Sequence, residues 1–394
     1  MKPLSDKTAG FTDSVIRRMT RVSNQYGAVN LSQGFPDFDP PKEITDRLRE
    51  IAPHGPHQYA LTWGAQNFRE ALARKHEHFS GMKVDPNKEI VVTCGSTEAM
   101  MASMLTVCNP GDKVVVFSPF YENYGADTIL SGAEPIYVPL VPPEFHFDKE
   151  KLEDAFRQGA KALILCNPSN PCGKVFTMEE MQTIAELAKK YDAYVVTDEV
   201  YEHIVYAPNK HIYMQSLEGM RERTIVCNSL SKTYSITGWR LGYVIANPQI
   251  IDRVKKVHDF LTVGAAAPLM EAAVVGLEFG DGYYDELAAH YAHMKEVFVG
   301  GLKKLGLKYT DPQGAYYVLV DVSEFGVKDD VKFCEWMAQF VGVAAVPGSS
   351  FFREDVHNLV RFHFAKQDDT LNEAIKRLAT LKEKAINAKN VDWR

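Results

Sequence analysis

The chain has 394 residues, of which 45% are hydrophobic and 24% charged, the balance of a globular protein with a sizeable core. This length predicts one large and one smaller domain rather than a single small one. The formal net charge of −7 disfavours non-specific binding to nucleic acid, and no run of lysines and arginines indicates a local basic patch.

The sequence carries no sign of a membrane segment, a secretion signal or a metal site. No stretch approaches 18 uninterrupted apolar residues, and the first twenty residues lack the apolar region of a signal peptide. None of the six cysteines forms a CxxC pair, which predicts a cytoplasmic protein without zinc or disulfides. His76-Glu77-His78 lies in a charged helical run over 67–80, where we expect a solvated helix face rather than metal ligands.

The middle of the chain alternates short β-branched runs with longer helical patterns. The predicted strands are, in chain order, 89–95, 113–119, 161–168, 193–201, 224–231 and 240–247. The predicted helices between them are 97–108, 121–131 and 177–191. Near-continuous apolar strands separated by helices are typical of a parallel sheet covered on both faces, so these elements predict an α/β doubly wound domain.

After about residue 285 the pattern changes. A long helix is predicted over 281–305, and the strands that follow it are 315–322, 343–348 and 359–365. This predicts a smaller α+β domain to which the first forty residues return, with a cleft between the two domains. The predicted large domain is 46–284, and the predicted small domain is 1–45 with 285–394.

Reactive side chains follow four of the predicted strands, and ligands of open α/β sheets bind beyond the carboxyl ends of the strands. The groups at these ends are, in chain order, Gly95-Ser96-Thr97, Asn170, Asp198 with Tyr201, and Ser229-Ser231-Lys232. Taken singly, each has a plain alternative, because Gly-Ser-Thr and Asp are common helix caps and Asn-Pro is common in turns.

Taken together, these groups suit one cofactor. The chain has no Walker pattern, no G-x-G-x-x-G and no G-x-S-x-G, which disfavours nucleotide, dinucleotide and α/β-hydrolase sites. Pyridoxal phosphate (PLP) needs a lysine for its aldehyde, an acid for its ring nitrogen, and N–H, hydroxyl and arginine donors for its phosphate. The stretch SLSKTYSITGWR supplies Lys232 among hydroxyls, with Arg240 eight residues later.

The chain resembles the class I/II aminotransferases of the fold-type I PLP enzymes, from about residue 28 to its C-terminus. The motifs that carry the resemblance are NLSQGFPDF, QYA, GSTEA, NPSNPCGKV, TDEVYEHIVY, SLSKTYSITGWRLGY and LVRFHFA. It is most similar to the kynurenine/glutamine and methionine/aromatic branch. The resemblance implies a mostly parallel central sheet covered by helices, a smaller α+β domain, PLP as cofactor, and a homodimer with shared active sites.

The resemblance also implies roles around the cofactor ring. Lys232 matches the lysine that binds the PLP aldehyde and later moves the substrate proton. Asp198 matches the acid that pairs with the ring nitrogen, and Tyr201 and Asn170 match the donors to the phenolic oxygen of the ring. Tyr121 matches the aromatic residue that stacks on the ring, although many relatives have Trp or Phe there.

Further roles concern the phosphate and the substrate. The implied phosphate ligands are Ser96, Thr97, Ser229, Ser231, Arg240 and, from the neighbouring subunit, Tyr59. Arg361 matches the guanidinium that binds the substrate α-carboxylate as a fork, with Gly34 and Asn170 beside it. Cys172 stands where the family often has Thr, a change that we expect the site to tolerate.

These roles predict a ping-pong transfer of an amino group from an amino acid to a 2-oxo acid. Trp63, Phe351 and Phe352 join Tyr59 and Tyr121 as candidate aromatics of a side-chain pocket. No counterpart of the extra arginine that selects acidic side chains is identified, so we expect neutral donors such as methionine, glutamine or aromatic amino acids.

Three alternatives stay open at this point. An aspartate-preferring aminotransferase would need a cation such as Arg17 or Arg18 near the substrate. A PLP-dependent carbon–sulfur lyase needs the same lysine, acid and arginine as a transferase. A non-enzymatic regulator is disfavoured because the chain keeps both Lys232 and Asp198.

Overall fold

A computed structural model describes residues 2–9, 11, 13–388 and 391–394. The strands are β1 (Val29–Asn30), β2 (Ile90–Thr93), β3 (Lys113–Ser118), β4 (Glu134–Val141), β5 (His146–Phe147), β6 (Ala160–Cys166), β7 (Tyr194–Asp198), β8 (Thr224–Ser229), β9 (Gly242–Ile245), β10 (Lys308–Tyr309), β11 (Tyr317–Asp321), β12 (Val343–Ala344), β13 (Val346–Pro347) and β14 (Leu359–His363). The helices are α1 (Val15–Tyr26), α2 (Lys42–Ile51), α3 (Gln66–Ser80), α4 (Ser96–Val107), α5 (Asn123–Leu130), α6 (Lys149–Arg157), α7 (Met178–Lys190), α8 (Pro248–Leu261), α9 (Ala267–Leu277), α10 (Asp281–Lys304), α11 (Asp330–Trp336), α12 (Asp368–Leu378) and α13 (Leu381–Asn387).

A large sheet has the strand order β2-β9-β8-β7-β6-β3-β4-β5. The strands from β8 to β4 are parallel, whereas β9 is antiparallel to both of its neighbours and β5 is antiparallel to β4. Every residue of β8 is buried, as the apolar runs require for a sheet covered on both faces. The mostly parallel α/β sheet predicted from the sequence is therefore confirmed.

Two details of the predicted sheet are wrong. β4 and β5 were not predicted, because β4 carries Pro135 and Pro139 and only part of it is buried; such strands lie near sheet edges. The predicted strand 193–201 is too long, since β7 ends at Asp198, whose Oδ1 accepts a hydrogen bond from the Val200 N–H. This bond turns the chain at the carboxyl end of the sheet.

A smaller antiparallel sheet has the order β10-β11-β14-β13, and a two-stranded parallel sheet joins β1 to β12. The N-terminal segment thus pairs with the C-terminal part of the chain, Val29 with Val343 and Asn30 with Ala344. Within the described residues, no helix is long and apolar enough to cross a membrane.

The charged run over 67–80 forms α3, and the expected solvated face holds for Glu77 and His78 but is wrong for His76. His78 is exposed, whereas Lys75 and His76 are buried. Lys75 turns inward because its Nζ lies 2.8 Å from the buried Glu202 carboxylate. In the described part of the chain, no group of three or more metal-ligating side chains occurs.

Candidate active site

A cleft of about 200 Å³ opens at the carboxyl ends of β6, β7 and β8, and we call it the central cleft. Its walls bring together residues from distant parts of the chain. The predicted site residues that line it are Gly34, Ser96, Thr97, Tyr121, Asn170, Asp198, Tyr201, Ser231, Lys232, Arg240 and Arg361. The order of the strands explains this convergence, because the ends of neighbouring parallel strands meet at one edge of the sheet.

Two predicted cofactor ligands, Ser229 and Tyr59, and two predicted pocket aromatics, Phe351 and Phe352, lie outside these walls. Ser229 ends β8 and is buried, and its Oγ accepts a hydrogen bond from the Ser231 N–H at 3.3 Å, which shapes the turn before Lys232. Tyr59 is 87% exposed. Phe351 and Phe352 are buried in a hydrophobic core rather than lining the cleft.

Lys232 presents a free amine at the centre of the cleft. Its Nζ donates to the Gly34 carbonyl at 3.3 Å and lies about 6 Å from the rings of Tyr201 and Tyr316. It forms no salt bridge with any described residue. Burial lowers the pKa of Lys232 to about 8, although the nearby Asp198 charge acts in the opposite direction. Roughly one tenth of this amine is therefore uncharged at pH 7, and the share rises steeply up to pH 8.

Asp198 is held at the end of β7 by two hydrogen bonds. The Tyr124 hydroxyl donates to Oδ2 at 2.7 Å, and the Val200 N–H donates to Oδ1. Burial raises the pKa of Asp198, while these two bonds and the Lys232 charge work against that rise. Sequence reasoning missed Tyr124, although its place three residues after Tyr121 on a predicted helix puts both on one helix face.

One end of the cleft is built for an anion. Gly95 (φ 85°, ψ 170°) precedes α4 and provides no side-chain cap, so the first N–H groups of the helix, at Ser96 and Thr97 in the cleft wall, are free of side-chain partners among the described residues. An added Cβ on Gly95 would lie 2.3 Å from Nη2 of Arg240. Arg240 is exposed and bonds only the carbonyls of Thr237 and Cys94 among the described residues. These donors lack an acidic partner.

The other end of the cleft holds a buried guanidinium. Arg361 is buried, its Nη1 donates to Asn170 Oδ1 at 2.6 Å, and its Nη2 donates to the Ser32 carbonyl at 2.8 Å. The guanidinium lies between the rings of Tyr317 and Phe351, at 4.3 and 4.6 Å. Its Nε has no partner among the described residues. A buried cation without an acidic partner is costly, so this end favours an anionic ligand.

Tyr317, the first residue of β11, lines the cleft, and Tyr316 packs beside it; sequence reasoning assigned neither tyrosine a role. The Tyr317 hydroxyl lies 2.9 Å from the Tyr201 hydroxyl, and the Tyr316 hydroxyl donates to the Gly34 carbonyl at 2.9 Å. An added Cβ on Gly34 would lie 2.3 Å from the Tyr317 oxygen, so only glycine leaves room for this arrangement. The paired tyrosines of AYYVLVDV were the available signal.

The mouth of the cleft carries further polar groups. Arg17 of α1 lines it, and so does Glu122, which accepts a hydrogen bond from Ser14. Arg18, the other arginine considered from the sequence, instead forms a salt bridge with Glu335. Of the two, only Arg17 is therefore placed to meet a substrate side chain.

The three parts of the cleft fit PLP. An uncharged amine suits its aldehyde, a buried carboxylate suits its ring nitrogen, and the start of α4 with Arg240 suits its phosphate. Close to Gly95 the backbone leaves room that a side chain would fill.

Known proteins match nearly the whole chain. A family model described as aminotransferase class I and II matches residues 26–378. A Mycobacterium tuberculosis protein named probable N-succinyldiaminopimelate aminotransferase is 35% identical, covering 95% of this chain and 97% of its own length. Methionine aminotransferase of Escherichia coli is 35% identical, with coverage of 93% and 96%. Kynurenine–oxoglutarate transaminase 3 of Homo sapiens is 33% identical, with coverage of 93% and 87%.

The fold also matches solved structures of aminotransferases. N-succinyldiaminopimelate aminotransferase from Mycobacterium tuberculosis superposes with a TM-score of 0.93 at 34% identity, covering 96% of this chain and all of that one. The fold, the cleft chemistry and the family model point to the same conclusion. The chain belongs to the class I and II aminotransferases, which are PLP-dependent enzymes that transfer amino groups.

Proposed function

We propose that the central cleft transfers the amino group of a neutral amino acid to a 2-oxo acid, with Lys232 as the catalytic amine. The observation that carries this proposal is the half-buried Lys232 amine, which forms no salt bridge with a described residue and lies between the start of α4 and Arg361. When bound, PLP supplies an aldehyde that takes up the amino group and a ring that withdraws electrons from the neighbouring carbon.

The residues of the chain divide the remaining work. Lys232 Nζ binds the cofactor, is displaced by the substrate amine, and then moves the α-proton. Asp198, oriented by Tyr124, keeps a proton on the ring nitrogen. Arg361 orients the substrate through its carboxylate, and Asn170, whose oxygen is held by Arg361, has its amide N–H groups free to face the cofactor.

The phosphate end completes the proposed site. Ser96, Thr97, Ser231 and Arg240 would hold the phosphate, and Ser229 would act through the turn that it shapes. Tyr121 would cover one face of the ring, since it lines the cleft and lies edge-on to Tyr124.

Borohydride reduction of the PLP-loaded protein tests the proposal. Reduction should fix the cofactor to Lys232, identified by peptide mass, and the visible absorption band should disappear. Lys232→Ala should lose transamination while its circular dichroism matches the parent. A label on a different lysine would overturn the assignment.

We propose neutral donors because the mouth of the cleft holds Glu122 as well as Arg17, and because an unpaired acidic side chain would be costly to bury. Relatives named for methionine and kynurenine support this choice. The observation that favours the alternative, an acidic substrate, is Arg17 itself, since it forms no salt bridge with a described residue.

Measuring kcat/KM for a panel of amino donors and 2-oxo acids distinguishes a neutral from an acidic substrate, with Arg17→Gln as the matched variant. We expect methionine, glutamine or aromatic donors to have the highest kcat/KM, and Arg17→Gln to change these values little. Aspartate as the best donor, with a loss of at least tenfold in Arg17→Gln, would establish the acidic alternative. Pyruvate and ammonia formed without an oxo acid would indicate a lyase.

We also propose that the enzyme is a homodimer. Exposed apolar residues cluster on two adjoining segments: Tyr59, Leu61, Phe260, Leu261 and Val263. The segments touch, because His258 Nε2 lies 2.8 Å from the Thr62 carbonyl. They border the anion site through Cys94, whose Sγ donates to the Gly264 carbonyl and whose carbonyl accepts from Arg240. A second copy covering this patch would bring a Tyr59 toward the phosphate.

The domain division 46–284 and 1–45 with 285–394 remains a proposal. It is supported by the large sheet between residues 90 and 245 and the smaller one between 308 and 363. Limited proteolysis should cut first near these boundaries.

A cytoplasmic location is also proposed, supported by six free cysteines, and fractionation of the producing cell tests it.

A further inference from the structure

The hydroxyls of Tyr201 and Tyr317 form a hydrogen bond whose direction the proposed function does not specify. A phenol has one proton, so in the 2.9 Å contact between these oxygens only one of the two donates. No other hydrogen bond to either hydroxyl occurs among the described residues. The direction of this bond therefore decides which tyrosine has its proton free for the cleft.

The surroundings favour Tyr317 as the donor. The Arg361 guanidinium lies 4.3 Å from the Tyr317 ring, and a neighbouring cation strengthens an O–H donor. Burial raises the pKa of both phenols, but for Tyr317 the Arg361 charge opposes this rise, whereas Tyr201 is pushed well above its usual pKa. Tyr317 thus has the more acidic proton, and Tyr201 has the better acceptor oxygen.

The backbone fixes Tyr317 in this position. Tyr317 is 3% exposed and pairs with His363 across β11 and β14, which places it beside Arg361. Its oxygen occupies the space that a side chain on Gly34 would need. The hydroxyl therefore has little room to turn away from Tyr201.

We propose that Tyr317 is a positioning residue, whose hydroxyl donates to Tyr201 and so leaves the Tyr201 proton free to bind the phenolic oxygen of PLP. This inference rests on the proposed site, in which Tyr201 faces that oxygen. It adds a residue that reaches the cofactor only through Tyr201 and that belongs to the smaller sheet.

Removal of the Tyr317 hydroxyl tests this role. The visible band of the PLP-loaded protein changes with pH, and the pH at the midpoint of this change is the quantity to measure. A hydrogen-bond donor to the phenolic oxygen stabilises the more negative form of that oxygen. Loss of the donor should therefore raise the midpoint. A hydrogen bond to a charged oxygen corresponds to about 1–2 pH units, so we expect about 1 unit or more for Tyr201→Phe and about 0.5 unit for Tyr317→Phe, both upward. The affinity of the apo protein for PLP, followed by fluorescence, should fall about threefold in Tyr317→Phe.

The double variant separates positioning from packing. If Tyr317 acts through Tyr201, Tyr317→Phe adds no further shift in a Tyr201→Phe background. Tyr291→Phe is the matched control, because the Tyr291 hydroxyl is buried in the same aromatic cluster without a partner among the described residues. We expect its midpoint to equal that of the parent.

Two results would overturn the inference: an unchanged midpoint in Tyr317→Phe, or a shift that adds in full to that of Tyr201→Phe. Both leave the proposed function intact, since the parent would still show the band. A parent protein without a PLP band would instead refute the assignment of the cleft.

Discussion

At the scale of single residues, the reactivity of Lys232 is set by burial. Desolvation disfavours the charged amine, and the Asp198 charge restores only part of the loss, so the pKa falls from the ordinary 10.5 to about 8. Because only the uncharged amine attacks an aldehyde, the fraction able to react at pH 7 is roughly one tenth, against roughly one in three thousand for an ordinary lysine.

This pKa predicts how the apo protein takes up PLP. The association rate should rise about tenfold per pH unit below pH 8 and level off above pH 9, because deprotonation is then complete. Stopped-flow absorbance between pH 6 and 10 measures it, with a free lysine derivative as the reference, whose rate should still rise at pH 10. A protein rate that follows the reference would show that burial does not lower this pKa.

The carboxylate of Asp198 predicts a second result at this scale. Asp198→Asn should keep the shape but remove the charge that we propose to hold a proton on the cofactor ring, so kcat should fall by about 100-fold or more. Asp127→Asn is the control, since burial raises the pKa of the nearby Asp127 to about 8, which leaves this acid mostly neutral at pH 7. Equal losses in the two variants would contradict a role specific to Asp198.

At the scale of elements, the proposed phosphate site at the start of α4 depends on the absence of a side chain at Gly95, beside Arg240. Gly95→Ala should lower PLP affinity at least tenfold, since the backbone there suits glycine alone and a Cβ would strike Arg240. Gly111→Ala provides the control, because its φ is 86° but its Cβ would meet no atom within 4 Å. Equilibrium dialysis of PLP measures both, and similar affinities would refute the anion site.

The same scale shows what the sequence could predict. The ends of strands can be recognised from a few neighbouring residues, and the ends of parallel strands meet at one edge of a sheet. The sequence alone therefore predicts that Asn170, Asp198 and Lys232 lie at the same edge. Tyr124 and Tyr317 could not be assigned, because their partners lie 74 and 116 positions away and an aromatic residue in an apolar run reads as core. The antiparallel direction of β9 could not be predicted either, because the pattern of apolar residues is the same for a parallel and an antiparallel buried strand.

At the scale of the whole molecule, the exposed patch predicts a site that one chain cannot complete. Lys232→Ala and Tyr59→Ala should each be nearly inactive alone. If Tyr59 serves the partner's site, mixed dimers regain one intact site, and a refolded equimolar mixture should recover about a quarter of the parent activity. Sedimentation of each variant checks that dimers form. A mixture as inactive as its components would place Tyr59 in the site of its own subunit, whereas an active Tyr59→Ala would place Tyr59 outside the site.

The parallel pairing of β1 with β12 has a consequence for the newborn chain. About 300 residues separate these strands, and synthesis at roughly 5–20 residues per second needs about 15–60 s to cover them. Apart from Tyr59 of a second copy, the residues that we propose for the phosphate, the ring nitrogen and the aldehyde all lie between 96 and 240, so they leave the ribosome long before Arg361. We therefore expect that a growing chain can bind its cofactor before it contains Arg361, the residue proposed to bind the substrate carboxylate. Cofactor binding would then precede any catalysis during synthesis of the chain.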